Sequence, residues 1–97
     1  MEPIGGDTMT FHELESAIYK AQDEVTGKWF KDQHRNPFEA YYLYHKPAGG
    51  LFGVFTNKEK PEGWELTTGC RISPAWNKRQ AYCFIGVNIR RAPFLVV

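Results

Sequence analysis

What this chain has little of narrows its function before any motif is weighed. It holds only two cysteines, Cys70 and Cys83, too few for a disulfide framework. With no secretory signal or lipidation motif, the expectation is two reduced thiols in an intracellular protein. No run of 18 apolar residues occurs, so no membrane partner is expected. His12, His34 and His45 lack the H-E-x-x-H or C-x-x-C spacing of a metal site. Gly5-Gly6 and Gly49-Gly50 lack the context of a phosphate cradle, which leaves no cofactor to expect. Cys70 or Cys83 beside His34 or His45 would supply a nucleophile and a base, yet both cysteines fall on the apolar side of alternating segments. Buried there, they are expected to be inert. No catalytic set assembles, and the chain reads as a non-enzyme.

Acidic residues are also missing, but from one region only. Residues 66–97 contain none and carry Arg71, Lys78, Arg79, Arg90 and Arg91, a net of +5. Residues 1–24 hold six carboxylates against Lys20, a net of −5. The whole chain is nearly neutral at +1. Such asymmetry favours partners of opposite sign at the two poles, unless folding brings the poles together.

What is present points to one domain spanning 1–97. Ninety-seven residues with 42% hydrophobic and 15% aromatic content suffice for a single core. Residues 1–8, with two glycines and a proline, read as a loose arm. The segment from Thr10 to Gly27 carries a helix start, a helical period and a helix stop. Thr10 and Glu13 form a T-x-x-E capping box. Phe11, Leu14, Ala17, Ile18, Ala21 and Val25 form an apolar stripe on which Leu14 and Ile18 are expected fully buried, and Gly27 supplies the left-handed stop. Glu13, Glu15, Asp23 and Glu24, against Lys20, make the opposite face acidic.

Beyond the helix, Trp29 and Phe30 suit a short turn of helix or a loop pinned to the core by an aromatic, with Trp29 buried. Asn36-Pro37-Phe38-Glu39 resembles a helix start, whereas the aromatic runs after it read as a hairpin with strands near 39–46 and 51–57. A helical turn at 36–40 is the alternative. Trp64 to Ser73 alternates Trp64, Leu66, Thr68, Cys70 and Ile72 on one side, the pattern of a half-buried strand. Ala81 to Arg91 alternates Ala81, Cys83, Ile85, Val87 and Ile89 and reads as a fourth strand. The expected fold is α+β, with one N-terminal amphipathic helix packed on a roughly four-stranded antiparallel sheet.

Two binding surfaces follow from that arrangement. Tyr41, Tyr82 and Phe84 opposite the core face, with Arg71, Lys78, Arg79, Arg90 and Arg91, would make a stacking and charge surface for single-stranded nucleic acid, although no RNP-type sequence is present. The acidic helix offers the reverse chemistry. Glu13 and Glu24 return to one side of the helix about 16 Å apart, and carboxylates spaced along a rod imitate a phosphate backbone.

From TFHELESAIYKAQDEV through YYLYHKPAGGLFGVF to AYCFIGVNIRR, the chain resembles phage-encoded anti-CRISPR proteins of the type I-F class. The likeness covers most of the chain and rests on size and these stretches. These families share no common signature, so the resemblance assigns no role to any single position. It implies a stoichiometric inhibitor in the cytoplasm of a bacterial host that binds the crRNA-guided Cas surveillance complex through its protein subunits and blocks target DNA. At a net charge of +1, mimicry of DNA is confined to one face, that of Glu13, Glu15, Asp23 and Glu24.

Overall fold

The capping box starts a helix as expected, but Gly27 does not end it. The computed structural model describes residues 10–47 and 50–92, so the expected arm at 1–8 and part of the hairpin turn lie outside the described residues. Helix α1 runs over Phe11–Arg35. At its start the Thr10 hydroxyl accepts from the Glu13 N–H at 3.1 Å, and the Glu13 carboxylate accepts from the Thr10 N–H at 2.9 Å. Glycine within a helix costs roughly 1 kcal/mol relative to alanine. Continuing the helix past Gly27 carries Trp29 into the core, where it is completely buried although its indole N–H meets no acceptor among the described residues, so burial of the apolar ring is what offsets the glycine. The stop comes at Asn36, whose N–H donates to the Asp32 carbonyl, immediately before Pro37. Proline disfavours helical backbone at the residue before it, so Asn36-Pro37 closes this helix and does not open another.

Strands β1 (Tyr41–Lys46), β2 (Leu51–Thr56) and β3 (Glu65–Ile72) form one antiparallel sheet in the order β2-β1-β3. The hairpin expected near 39–46 and 51–57 is therefore present, and 36–40 is a turn rather than helix. Tyr41, Leu43, Val54 and Ile72 point to one side and join Val25 and Trp29 in the core. On β2, an outer strand, the Val54 carbonyl accepts a hydrogen bond from Lys28 Nζ at 2.8 Å, which satisfies an edge acceptor with a charged side chain from α1.

Strand β3 departs from simple alternation. Tyr42 pairs with Arg71 and Tyr44 with Leu66, so Thr67, Thr68, Gly69 and Cys70 all stand opposite the single Leu43. This bulge breaks the side-chain period. Of the five residues expected on the apolar side, only Ile72 is buried, while Leu66 and Cys70 are exposed.

The fourth strand is a helix. α2 spans Lys78–Arg90. The Asn77 side chain accepts from the Gln80 N–H at 2.8 Å, and the Gln80 side chain accepts from the Asn77 N–H at 2.9 Å, a second capping box. Ala81, Ile85 and Ile89 are spaced by four and bury one helical face. Spacing by four is also a multiple of two, which is why the same residues read as an alternating strand. Cys83 and Val87, which alternation placed inside, are exposed.

The two helices run antiparallel. Lys78 Nζ lies over the Phe30 ring at 5.2 Å, and at the other end the Arg90 guanidinium lies over Tyr19 at 5.0 Å. Between them the buried Gln22 amide donates to the Tyr82 carbonyl at 2.8 Å and accepts from Arg90 at 3.2 Å. Gly86 permits this approach: a Cβ there would collide with the Gln22 carboxamide.

Candidate functional site

The acidic residues of α1 do not share one face. Glu13 and Glu24, eleven residues apart, do fall on the same side of the helix, and both are exposed. Glu15 is four residues from Phe11 and seven from Gln22, so it belongs to the row that faces α2 further along. It is exposed because the core does not reach it. Asp23 leans toward α2, where Asp23, Thr26, Lys78, Arg79 and Tyr82 line an open depression between the helices. Desolvation holds the Tyr82 hydroxyl above its usual pKa of 10.0, and the neighbouring Asp23 carboxylate adds to the shift. The carboxylates are therefore distributed around the rod.

The extension of α1 to Arg35 also changes the charge of its outer surface. Beyond Glu24 the helix carries Lys28, Lys31 and Arg35 against Asp32. Lys28 and Arg35 pair with Asp32 at 2.6 and 3.3 Å. The helix is thus acidic in its first half and basic in its second, the order that its macrodipole favours.

Burial divides α1 at the same place. In its first two turns, residues 11–17, only Leu14 is partly covered, and Phe11 is 78% exposed. Gln22 is the first buried residue. Full burial of Leu14 and Ile18 was the expectation, but both are only partly buried. The apolar stripe is real, and the body of the fold begins halfway along it.

The basic residues do not gather either. Lys78 and Arg79 sit at one end of α2, and Arg90 and Arg91 at the other, about 18 Å away by helical rise. Arg71 lies on the opposite side of the sheet, paired with Tyr42. Tyr41 cannot serve as an outward stacking platform. It is buried, with its hydroxyl donating to the Asp32 and Asn36 carbonyls at 3.0 and 3.1 Å. Tyr82 and Phe84 stand on a helix. Packing α2 along α1 also places the basic end of the sequence beside the acidic one, as Arg90 over Tyr19 illustrates. The separation of charge along the chain does not persist in space.

A different aromatic surface occupies the open side of the sheet. Phe55, Tyr42 and Arg71 form a cross-strand row. Trp64 meets Phe55 edge-on at 5.1 Å, and the Tyr44 hydroxyl donates to Asn57 Oδ1 at 3.1 Å. Gly53 leaves room for this cluster, since a Cβ there would lie 3.0 Å from the Trp64 ring. Alternation in β1, with Tyr42 and Tyr44 two apart, was the sequence signal for this face.

Cys70 and Cys83 are free and exposed rather than buried, the first because of the bulge and the second because α2 is helical. Among the described residues no three His, Cys, Asp or Glu side chains gather as a metal would require, and no helix is long and apolar enough to cross a membrane. No protein-family model matches the chain, and no curated protein or solved structure matches it either.

Proposed function

We propose that this protein is a stoichiometric inhibitor of a type I-F CRISPR-Cas surveillance complex, and that it binds through the first half of α1. The observation that carries the reading is the exposure of Glu13, Glu15, Asp23 and Glu24 on one capped helix, the first two on turns that the core does not reach and the last two beside its first buried residues. A preformed acidic rod needs little ordering to bind, and it suits the basic surface that a surveillance complex uses to hold DNA. Blocking that surface by partial mimicry of the phosphate backbone is how inhibition follows. Dispersal of the basic residues over two ends of α2 and the far side of the sheet weighs against direct nucleic-acid binding through them.

A pull-down with purified surveillance complex tests this. The variant Glu13→Gln, Glu15→Lys, Glu24→Lys leaves Asp23 with its α2 neighbours and is expected to lose binding. Binding by the unmodified protein is expected to weaken steeply with salt. Normal binding by this variant, together with loss in Lys78→Glu, Arg79→Glu, would move the site to α2. A gel shift of free nucleic acid without capture of the complex would replace the reading with nucleic-acid binding.

A further inference from the structure

We infer that Phe11 and Leu14 are apolar anchors with which the first turns of α1 lie in a groove of its protein partner, apolar along its floor and basic along its rims. This rests on the proposed binding of a surveillance complex through that helix half and specifies the contact. The two residues sit at i and i+3 on one edge of an amphipathic helix, and Ile18, four residues further on, already packs against the domain's own core. Farther along, the same row enters the domain core through Val25 and Trp29, whereas Phe11 is 78% exposed. Large aromatic residues at the centre of an interface contribute most of its binding energy, and this one stands on backbone already fixed by the Thr10 and Glu13 capping box.

Charge decides the kind of partner. Glu15 borders the apolar edge, Glu13 and Glu24 lie behind it, and Asp23 lies to the side, with Lys20 the one lysine or arginine between Phe11 and Glu24. A helix is about 10–12 Å across, so the rims of any groove that receives this edge come within a Debye length of the carboxylates. Basic rims match them. A second copy of the chain does not: the apolar row of the basic half is already buried, so two copies could join only acidic half to acidic half.

The test is the affinity of purified type I-F surveillance complex for Phe11→Ala, with Phe38→Ala as the control, since Phe38 is 93% exposed at the turn after α1. Expected are at least a tenfold loss for Phe11→Ala that persists at high salt, no change for Phe38→Ala, and unchanged folding of both by circular dichroism. Affinity of Phe11→Ala within about twofold of the unmodified protein overturns the anchors but leaves charge-based binding standing. Absence of any binding by the unmodified protein overturns the functional reading and the anchors with it. A drop in molecular mass by light scattering for Phe11→Ala, or a large fall in its melting temperature, would assign Phe11 to a self-association surface or to the chain's own terminal residues, and would also overturn the inference.

Discussion

The two halves of α1 carry one continuous apolar stripe and have different surroundings. In the second half Val25 and Trp29 are sealed against β1, β2 and α2, with Gln22 and Thr26 buried beside them. In the first half the same row emerges into solvent at Phe11. Amphipathicity thus tells which side of a helix seeks a partner, but not whether the chain itself provides one along the whole length. A stripe longer than the core beneath it is the physical basis for reading the first half as a binding element.

The sharpest way to break this comparison is to place the same charge in each half. Val25→Asp puts a carboxylate at a site that is 4% exposed, and the cost of an unpaired buried charge, about 3–5 kcal/mol, is comparable with the whole stability of a small domain. It is expected to unfold the protein. Leu14→Asp, which the sequence alone predicts to be equally damaging, is expected to leave a cooperative thermal transition by circular dichroism. If Leu14→Asp also abolished that transition, the two halves would not differ in kind.

Next in size is the pair of helical glycines. Gly86 faces the buried Gln22 amide, which a methyl group would displace from the Tyr82 carbonyl. Leaving those groups unsatisfied costs about 1–3 kcal/mol, against the roughly 1 kcal/mol that alanine gains over glycine in a helix. Gly86→Ala is expected to lower the urea midpoint. A higher midpoint would mean that Gln22 can leave its place at little cost.

Much of this architecture was legible in the chain, and the failures share a cause. Thr10 and Glu13 announced the start of α1, and the aromatic runs announced the hairpin, because caps and turns are local chemistry. Gly27 misled because whether a helix stops at a glycine depends on what lies beyond it, here the buried Trp29. Ala81, Ile85 and Ile89 satisfy periods of two and four alike, and the deciding signal was the Asn77 and Gln80 capping box just upstream. The bulge opposite Leu43 had no sequence signature beyond Gly69. The acidic residues of the candidate site were legible by composition, but their distribution around the helix emerged only once its true length and its contact with α2 were known.

Gly27→Ala comes third. A Cβ at Gly27 meets nothing within 4 Å, so only helix propensity changes, and a gain of about 0.5–1 kcal/mol is expected as a higher urea midpoint. The opposite signs at Gly86 and Gly27 would separate a glycine required by packing from one that the helix merely tolerates. A loss at Gly27 would require a contact that the described residues do not make.

The smallest effect is confined to the free half and is read by pH. The Glu13 carboxyl is held below its usual 4.5, first by the backbone hydrogen bond from Thr10 and then by the Thr10 side chain. A carboxyl whose pKa is lower in the folded state stabilises that state above the unfolded value, and the contribution disappears as pH falls through the folded one. Acidification from pH 5 to below the depressed value should therefore loosen the first turn of α1. Because the core does not reach that turn, the loss should stay local: the protection of the Glu13 amide relative to its intrinsic exchange rate at each pH should fall, while the amides of Val25 and Trp29 keep theirs. Thr10→Ala, which removes the hydroxyl but keeps the backbone N–H, should return the Glu13 titration midpoint, followed by NMR, only part of the way toward 4.5, and Glu13→Gln should abolish the pH dependence of the first turn. A midpoint indifferent to Thr10→Ala would remove the Thr10 hydroxyl as a cause and leave the shift to the backbone hydrogen bond. Loss of Trp29 protection over the same pH range would show that the two halves of the helix melt together, and that the first is not the independent element its exposure implies.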